Sequence, residues 1–177
     1  MNFSILLAVL VAPFSGDEID NPEFKMWSAY GVGTAVTLKS VTDTSGQKME
    51  MSMTTTLKSK SDKELVLETK MKMVFSGQTI DQPPTTRKVP AKVKKPKPVD
   101  TKKVKKPETG KETIEAAGQK FACTWTKTTI EAAGSKTESK VWMCDEVPGR
   151  VVKMEAVTSG EFATKMTQTL TKMTVKK

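Results

Sequence analysis

The hexapeptide TIEAAG occurs twice, at Thr113–Gly118 and Thr129–Gly134, and a lysine follows two residues after each copy. No other feature constrains the fold as tightly. A tight turn centred on Ala117-Gly118 sets Glu115 opposite Lys120 and Ile114 opposite Phe121 in an antiparallel pair. A turn centred on Ala133-Gly134 sets Glu131 opposite Lys136, Trp125 opposite Trp142 and Cys123 opposite Cys144. One even-length turn thus brings a charge pair, an aromatic pair and the two cysteines into register, as cross-strand pairing favours. The misfit is Lys127 opposite Lys140. Ala-Gly is a weaker hairpin dipeptide than Asn-Gly, so a four-residue loop about the same centre is equally compatible.

Period-two alternation governs the N-terminal half as well. Val36, Leu38 and Ser40 share one face of a strand that ends at a turn over Asp43–Lys48. Met49, Met51, Met53, Thr55 and Leu57 then alternate with polar residues. After a Ser61-Asp62-Lys63 loop, Leu65, Leu67, Thr69, Met71, Met73 and Phe75 form a second one-sided stripe. A three-residue loop predicts Lys60 opposite Glu64, Leu57 opposite Leu67, Met53 opposite Met71 and Met51 opposite Met73. Near the C-terminus, a Thr158-Ser159-Gly160 loop predicts Ala156 opposite Phe162 and Val152 opposite Met166. Upstream of all these strands, Asn21-Pro22-Glu23 reads as a capped helix start. Phe24, Trp27 and Tyr30 fall on one face of that helix, and Gly31 stops it.

The fold class that follows is mainly β. It is an antiparallel meander of about eight strands in a curved sheet or half-barrel, with one short N-terminal helix packed on it. The chain divides into a leader over 1–16, the helix and three strands over 17–86, a flexible Lys/Pro-rich linker over 87–110, and the remaining strands of the same sheet over 111–177. The leader rests on the apolar run Ile5–Val11, too short to span a bilayer and similar to the apolar part of a secretory signal. It implies a secreted or periplasmic protein, an environment that permits disulfides.

Charge is unevenly placed. The chain carries a formal net charge of +9, and the stretch from Arg87 to Lys106 alone accounts for it, with Asp100 its sole acid. Prolines at 83, 84, 90, 96, 98 and 107 punctuate this region, and VKKP recurs at Val93–Pro96 and Val104–Pro107. Missing amide donors and like-charge repulsion argue against a helix or a central strand here. As a contact for an acidic envelope polymer it offers Lys94, Lys95, Lys97, Lys102, Lys103, Lys105 and Lys106. Nucleic acid is disfavoured as a partner because no aromatics interleave to stack on bases. The bland reading is a solvated spacer.

The catalytic inventory is thin. The chain has no histidine, the commonest general base and transition-metal ligand. Asp145 and Glu146 are adjacent and point to opposite sides of an extended chain, so they form no acid/base pair. Ser and Lys are plentiful but show no nucleophile–base pattern, so no enzyme activity is expected. Cys123 and Cys144 are predicted to form a cross-strand disulfide, with two buried thiols as the alternative. Clustered methionines suit Cu(I), yet without histidine or a separate methionine tail they read as core packing. No metal or cofactor is expected.

The stretch Trp142-x-x-Asp145-x-Val147-Pro148-Gly149-x-Val151-Val152-Lys153-Met154 resembles the C-terminal half of small secreted bacterial β-proteins of uncharacterised function. These are similar in outline to the periplasmic lipoprotein-carrier (LolA-like) fold, a helix laid on a curved antiparallel sheet. The resemblance implies an apolar ligand or lipidated partner, held against Met49, Met51, Met53, Leu57, Leu67, Met71, Met73, Trp125, Trp142 and Met154. The competing expectation is a structural or adhesive protein that makes contact through its cationic stretch.

Overall fold

Tight turns set the architecture. In the computed structural model, which describes residues 14–96, 106–132, 135–160 and 163–177, two-residue turns close three hairpins with positive φ at both central positions. These turns are Ser45-Gly46, Ser76-Gly77 and Ala117-Gly118, with φ of 53° and 87°, 49° and 77°, and 49° and 72°. That geometry matches the right-handed twist of the flanking strands. The described residues form one helix, α1 (Pro22–Ser28), and eleven strands rather than eight. The strands are β1 (Phe14–Asp20), β2 (Ala35–Thr44), β3 (Gln47–Lys60), β4 (Glu64–Phe75), β5 (Gln78–Pro90), β6 (Lys92–Pro96), β7 (Glu108–Ala116), β8 (Gln119–Ala132), β9 (Ser135–Met143), β10 (Val151–Ser159) and β11 (Thr164–Thr174).

Nine of them form one antiparallel sheet in the order β5-β4-β3-β2-β11-β10-β9-β8-β7, while β1 and β6 make a separate two-stranded ribbon. Strands from both sides of the Lys/Pro stretch therefore share one sheet. The sheet curls enough to bring edge strand β7 near β10 and β11, and it stays open, with β5 and β7 as its edges. One short helix and an open antiparallel sheet agree with the mainly β fold class expected from the sequence.

Most pairings follow the sequence. Ile114 faces Phe121, Glu115 faces Lys120, Trp125 faces Trp142 and Glu131 faces Lys136. Met51 faces Met73, Met53 faces Met71 and Leu57 faces Leu67. Beyond Leu57 a bulge shifts the ladder, so Lys60 lies opposite Leu65 rather than Glu64. The β10–β11 hairpin also departs: Ala156 faces Met166 and Thr158 faces Thr164. Strand β10 continues through Ser159, which pairs with Lys136 of β9, so the turn is longer than three residues. The slip is even, and it leaves every side chain on its expected face. Residues 133, 134, 161 and 162 lie outside the described residues.

The Lys/Pro stretch is more ordered at its start than expected. Arg87–Pro90 ends β5 and Lys92–Pro96 is β6, whereas 97–105 lie outside the described residues. Proline is tolerated because β5 is an edge strand, and its ladder shifts between Thr69 and Met71, beside Pro83 and Pro84. Of the leader, 1–13 lie outside the described residues and Phe14–Gly16 belong to β1.

The hydrophobic core occupies one end of the sheet. Val36, Leu57, Leu65, Leu67, Val89, Phe121, Trp142, Val152 and Leu170 are buried there, and Trp27 of α1 joins them. Asn21 caps α1 by accepting the Glu23 N–H at 3.0 Å, and a bidentate Arg87–Glu23 pair ties its first turn to β5. The Val147-Pro148-Gly149 turn completes this end. Val147 and Pro148 are fully buried, Gly149 passes close to the Trp27 ring, and Tyr30 donates to the Asp145 carbonyl at 3.1 Å.

Candidate functional site

Hydrogen-bonded partners in a sheet share a face, so the registers sort every strand residue onto one side or the other. One rung runs Ile80, Met73, Met51, Ser40, Gln168, Met154, Val141, Thr126 across eight strands. The next, toward the hairpin tips, runs Gln78, Phe75, Met49, Thr42, Met166, Ala156, Ser139, Thr128. Neither rung contains a charge. The opposite face carries the ion pairs, among them Lys39–Glu50 at 2.7 Å, Lys153–Glu155 at 2.8 Å and Lys127–Glu138 at 3.5 Å. In a chain that is 28% charged, this segregation leaves one face uncharged over most of the sheet's width.

The uncharged face is covered at one end only. Leu57 and Leu67 are sealed into the core next to α1. Met49, Met51, Met53, Met71 and Met73 are half-buried and neither belong to the core nor pack against it. Phe75 and Ile80 beside them are 46% and 49% exposed. Core packing was expected for these methionines, and they lie outside the buried cluster. Leucines and then methionines follow one another along one stripe, and only the leucine end is reached by the helix. Ser40 is the buried exception, its hydroxyl accepting from the Gln168 amide at 2.9 Å.

Trp125 and Trp142 do not join this face. Trp142 pairs with Lys153 and Met154 pairs with Val141, so the tryptophans stand on the charged side, opposite the methionines. There they build a fastening for the sheet edge. Lys140 Nζ lies 4.4 Å from both indole centroids, and Lys153 Nζ lies 5.0 Å from Trp142. Glu112 of β7 accepts from Trp142 Nε1 at 2.7 Å and from Lys140 Nζ at 3.2 Å. These two bonds, the indole first, hold the Glu112 carboxyl below its usual range. Lys127 lies opposite Lys140 as expected, and the like-charge misfit is relieved because Lys127 pairs with Glu138 while Lys140 turns to Glu112 and the rings. Glu112 and Gly110 were not singled out from sequence. The turn at Ala117-Gly118 nonetheless puts them opposite Cys123 and Trp125.

The predicted disulfide is absent: Cys123 and Cys144 are buried, unbonded thiols. Strand β9 leaves the ladder after Met143, and Cys144 donates its backbone N–H to Arg150 O at 2.8 Å, so the rung expected for the two sulfurs does not form. The Cys123 thiol donates instead to Phe121 O at 3.5 Å, and burial pushes its pKa up. Lys94 and Lys95 are exposed on β6, while Lys97, Lys102, Lys103 and Lys105 lie outside the described residues. A shallow apolar cleft of 510 Å³ between the β1–β6 ribbon and the start of α1, lined by Ile19, Pro22, Pro90 and Val93, is remote from the methionines. Among the described residues no group of three or more His, Cys, Asp or Glu converges as a metal site, and no helix is long and apolar enough to cross a membrane.

Among the described residues, fold and site define an open antiparallel sheet with one helix and a face that is uncharged over most of its width and covered at one end. No family model and no curated protein matches the chain. Among solved structures, a Bacteroides fragilis protein described as a candidate exported protein with a YmcC-like fold is similar at 11% identity. The match covers 82% of this chain and 97% of that one, with a TM-score of 0.44.

Proposed function

We propose that this is a non-catalytic, exported envelope protein that receives an apolar chain, such as the acyl group of a lipid or lipidated partner, on its uncharged face. The observation that carries the reading is the half-buried Met49–Met53 and Met71–Met73 ladder, continuous with exposed Phe75 and Ile80 and free of charge. Apolar surface left open beyond a finished core marks a binding face, and flexible thioethers adapt to ligands of varied shape. The apolar run at Ile5–Val11 and the carrier-like sequence stretch support export.

A titration with a fluorescent acyl probe tests the reading. Met73→Glu, which places a charge on the face, is expected to weaken probe binding by about 10-fold or more, since a buried unpaired carboxylate costs several kcal/mol. Thr54→Glu on the opposite face should leave it unchanged. Equal effects of the two substitutions, or no probe binding by the unaltered protein, would refute it.

A second reading rests on the ribbon. Lys92, Lys94 and Lys95 are exposed on β6, outside the main sheet and next to the remaining lysines. Contact with an acidic envelope polymer through this stretch would be salt-sensitive and would be weakened by Lys92→Glu, Lys94→Glu and Lys95→Glu together.

A further inference from the structure

We propose that Met51, Met53, Met71 and Met73 also form a site for a soft monovalent cation, Cu(I) or its redox-inert analogue Ag(I). The four occupy two adjacent rungs of one face, Met51 opposite Met73 and Met53 opposite Met71. Directly opposed residues hold their Cβ atoms about 4.5–5.5 Å apart, and same-face neighbours along a strand follow at roughly 6.6–6.8 Å. Each thioether ends an unbranched, flexible side chain, so three sulfurs can meet at one point above the grid without moving the backbone.

The ordinary explanation for such a cluster is core packing, and these residues lie outside the buried core cluster. All four side chains are half-buried and lie outside the core. The donor set is also selective. Neutral thioethers are soft ligands that favour Cu(I) over hard divalent ions. No carboxylate or imidazole stands on these rungs to recruit Zn(II), Mg(II) or Cu(II). Leu38 and Ser40 of β2 flank the grid on one side and Ile80 and Gln82 of β5 on the other, an uncharged surround for a weakly hydrated ion. The site lies on the face assigned above to an acyl chain, but its ligands are the sulfurs rather than the apolar surface. The two readings therefore stand or fall separately.

Ag(I) titration of the full chain, labelled with 13C at the methionine methyls, tests the assignment. The expected result is a set of shifts at Met51, Met53, Met71 and Met73 that saturates at a single ion per chain. The M51L/M53L/M71L/M73L variant keeps size and apolarity, so it should keep a denaturant midpoint close to that of the unaltered protein. It should lose Ag(I) affinity by more than about 100-fold, beyond the loss seen when only the outer partners of ligands are removed. If that variant fails to fold, M53L/M71L, which breaks one rung, should show the same loss of Ag(I) affinity. Unmoved methyls at the four positions with Ag(I) held by Cys123 and Cys144, or undiminished affinity in the leucine variants, would overturn the proposal. Ag(I) binding without acyl-probe binding would leave it standing and refute the acyl reading instead.

Discussion

The Trp142 indole N–H donates to the Glu112 carboxylate at 2.7 Å, reaching from β9 to β7 across the whole of β8. This bond fastens one free edge of the sheet, and it makes the edge sensitive to acid. Glu112 is held below its usual pKa by Trp142 first and Lys140 second. A carboxyl with a depressed folded pKa contributes stability above its unfolded pKa, about 4.3 for Glu, and loses it as pH falls through the folded value. Glu138, lowered chiefly by its hydrogen bond from Lys136, adds in the same direction and window. Denaturant unfolding followed by tryptophan fluorescence should show stability falling below about pH 4. Glu112→Gln should be less stable at neutral pH and lose less on acidification. Parallel acid loss in both proteins would contradict this.

Gly110 should tolerate no side chain. A Cβ there would sit 2.6 Å from Trp125 Cζ2, and the ring is pinned beneath Lys140. Gly110→Ala is expected to cost about 1–3 kcal/mol, the usual range for overpacking. Gly46→Ala meets no atom within 4 Å, and its cost would come from its φ of +87° alone. The NMR shift of the Trp125 indole separates the two, moving only in Gly110→Ala.

Truncations along one stripe should divide sharply. Leu67 is wholly buried, so Leu67→Ala is expected to cost roughly 2–5 kcal/mol. Met73 lies three positions farther along the same face and is half-buried outside the core. Met73→Ala should cost about 1 kcal/mol or less, in keeping with a partly exposed position. Comparable losses would mean that the core extends to the methionine rungs.

How much of this was legible depended on the range of the signal. Local turns fixed the pairing in the β7–β8 and β8–β9 hairpins, where charge and apolar pairs agree in one register, and in β3–β4 the apolar pairs alone fixed it up to the bulge beyond Leu57. What turns cannot give is the relative face of distant hairpins. Trp142 and Val141 are neighbours, and which of them shares a side with Met51 is decided four strands away, through β10, β11 and β2. The sequence reading therefore placed the tryptophans with the methionines. Strand β5 was missed because an edge strand that is mostly exposed needs no apolar alternation, and its prolines read as punctuation. Ser76-Gly77 was the available clue, being the same dipeptide as the Ser45-Gly46 turn that was recognised.

The cysteines give a chemical count. In denaturant without reductant the protein should show two thiols per chain, as the unbonded pair requires. In the native state Cys123 should alkylate far more slowly than in the unfolded chain, because it is buried and its pKa is raised, so little thiolate is available. A denatured protein without free thiols would contradict the structure at this position.

The proposed function requires that the uncharged face be open and hold an apolar chain. Oxidative footprinting of methionines, with and without a saturating acyl ligand, measures this directly. Met49, Met51, Met53, Met71 and Met73 should oxidise readily in the free protein and become protected together when ligand is added. Slow oxidation of all five in the free protein, or protection confined to the Trp125 side of the sheet, would contradict it.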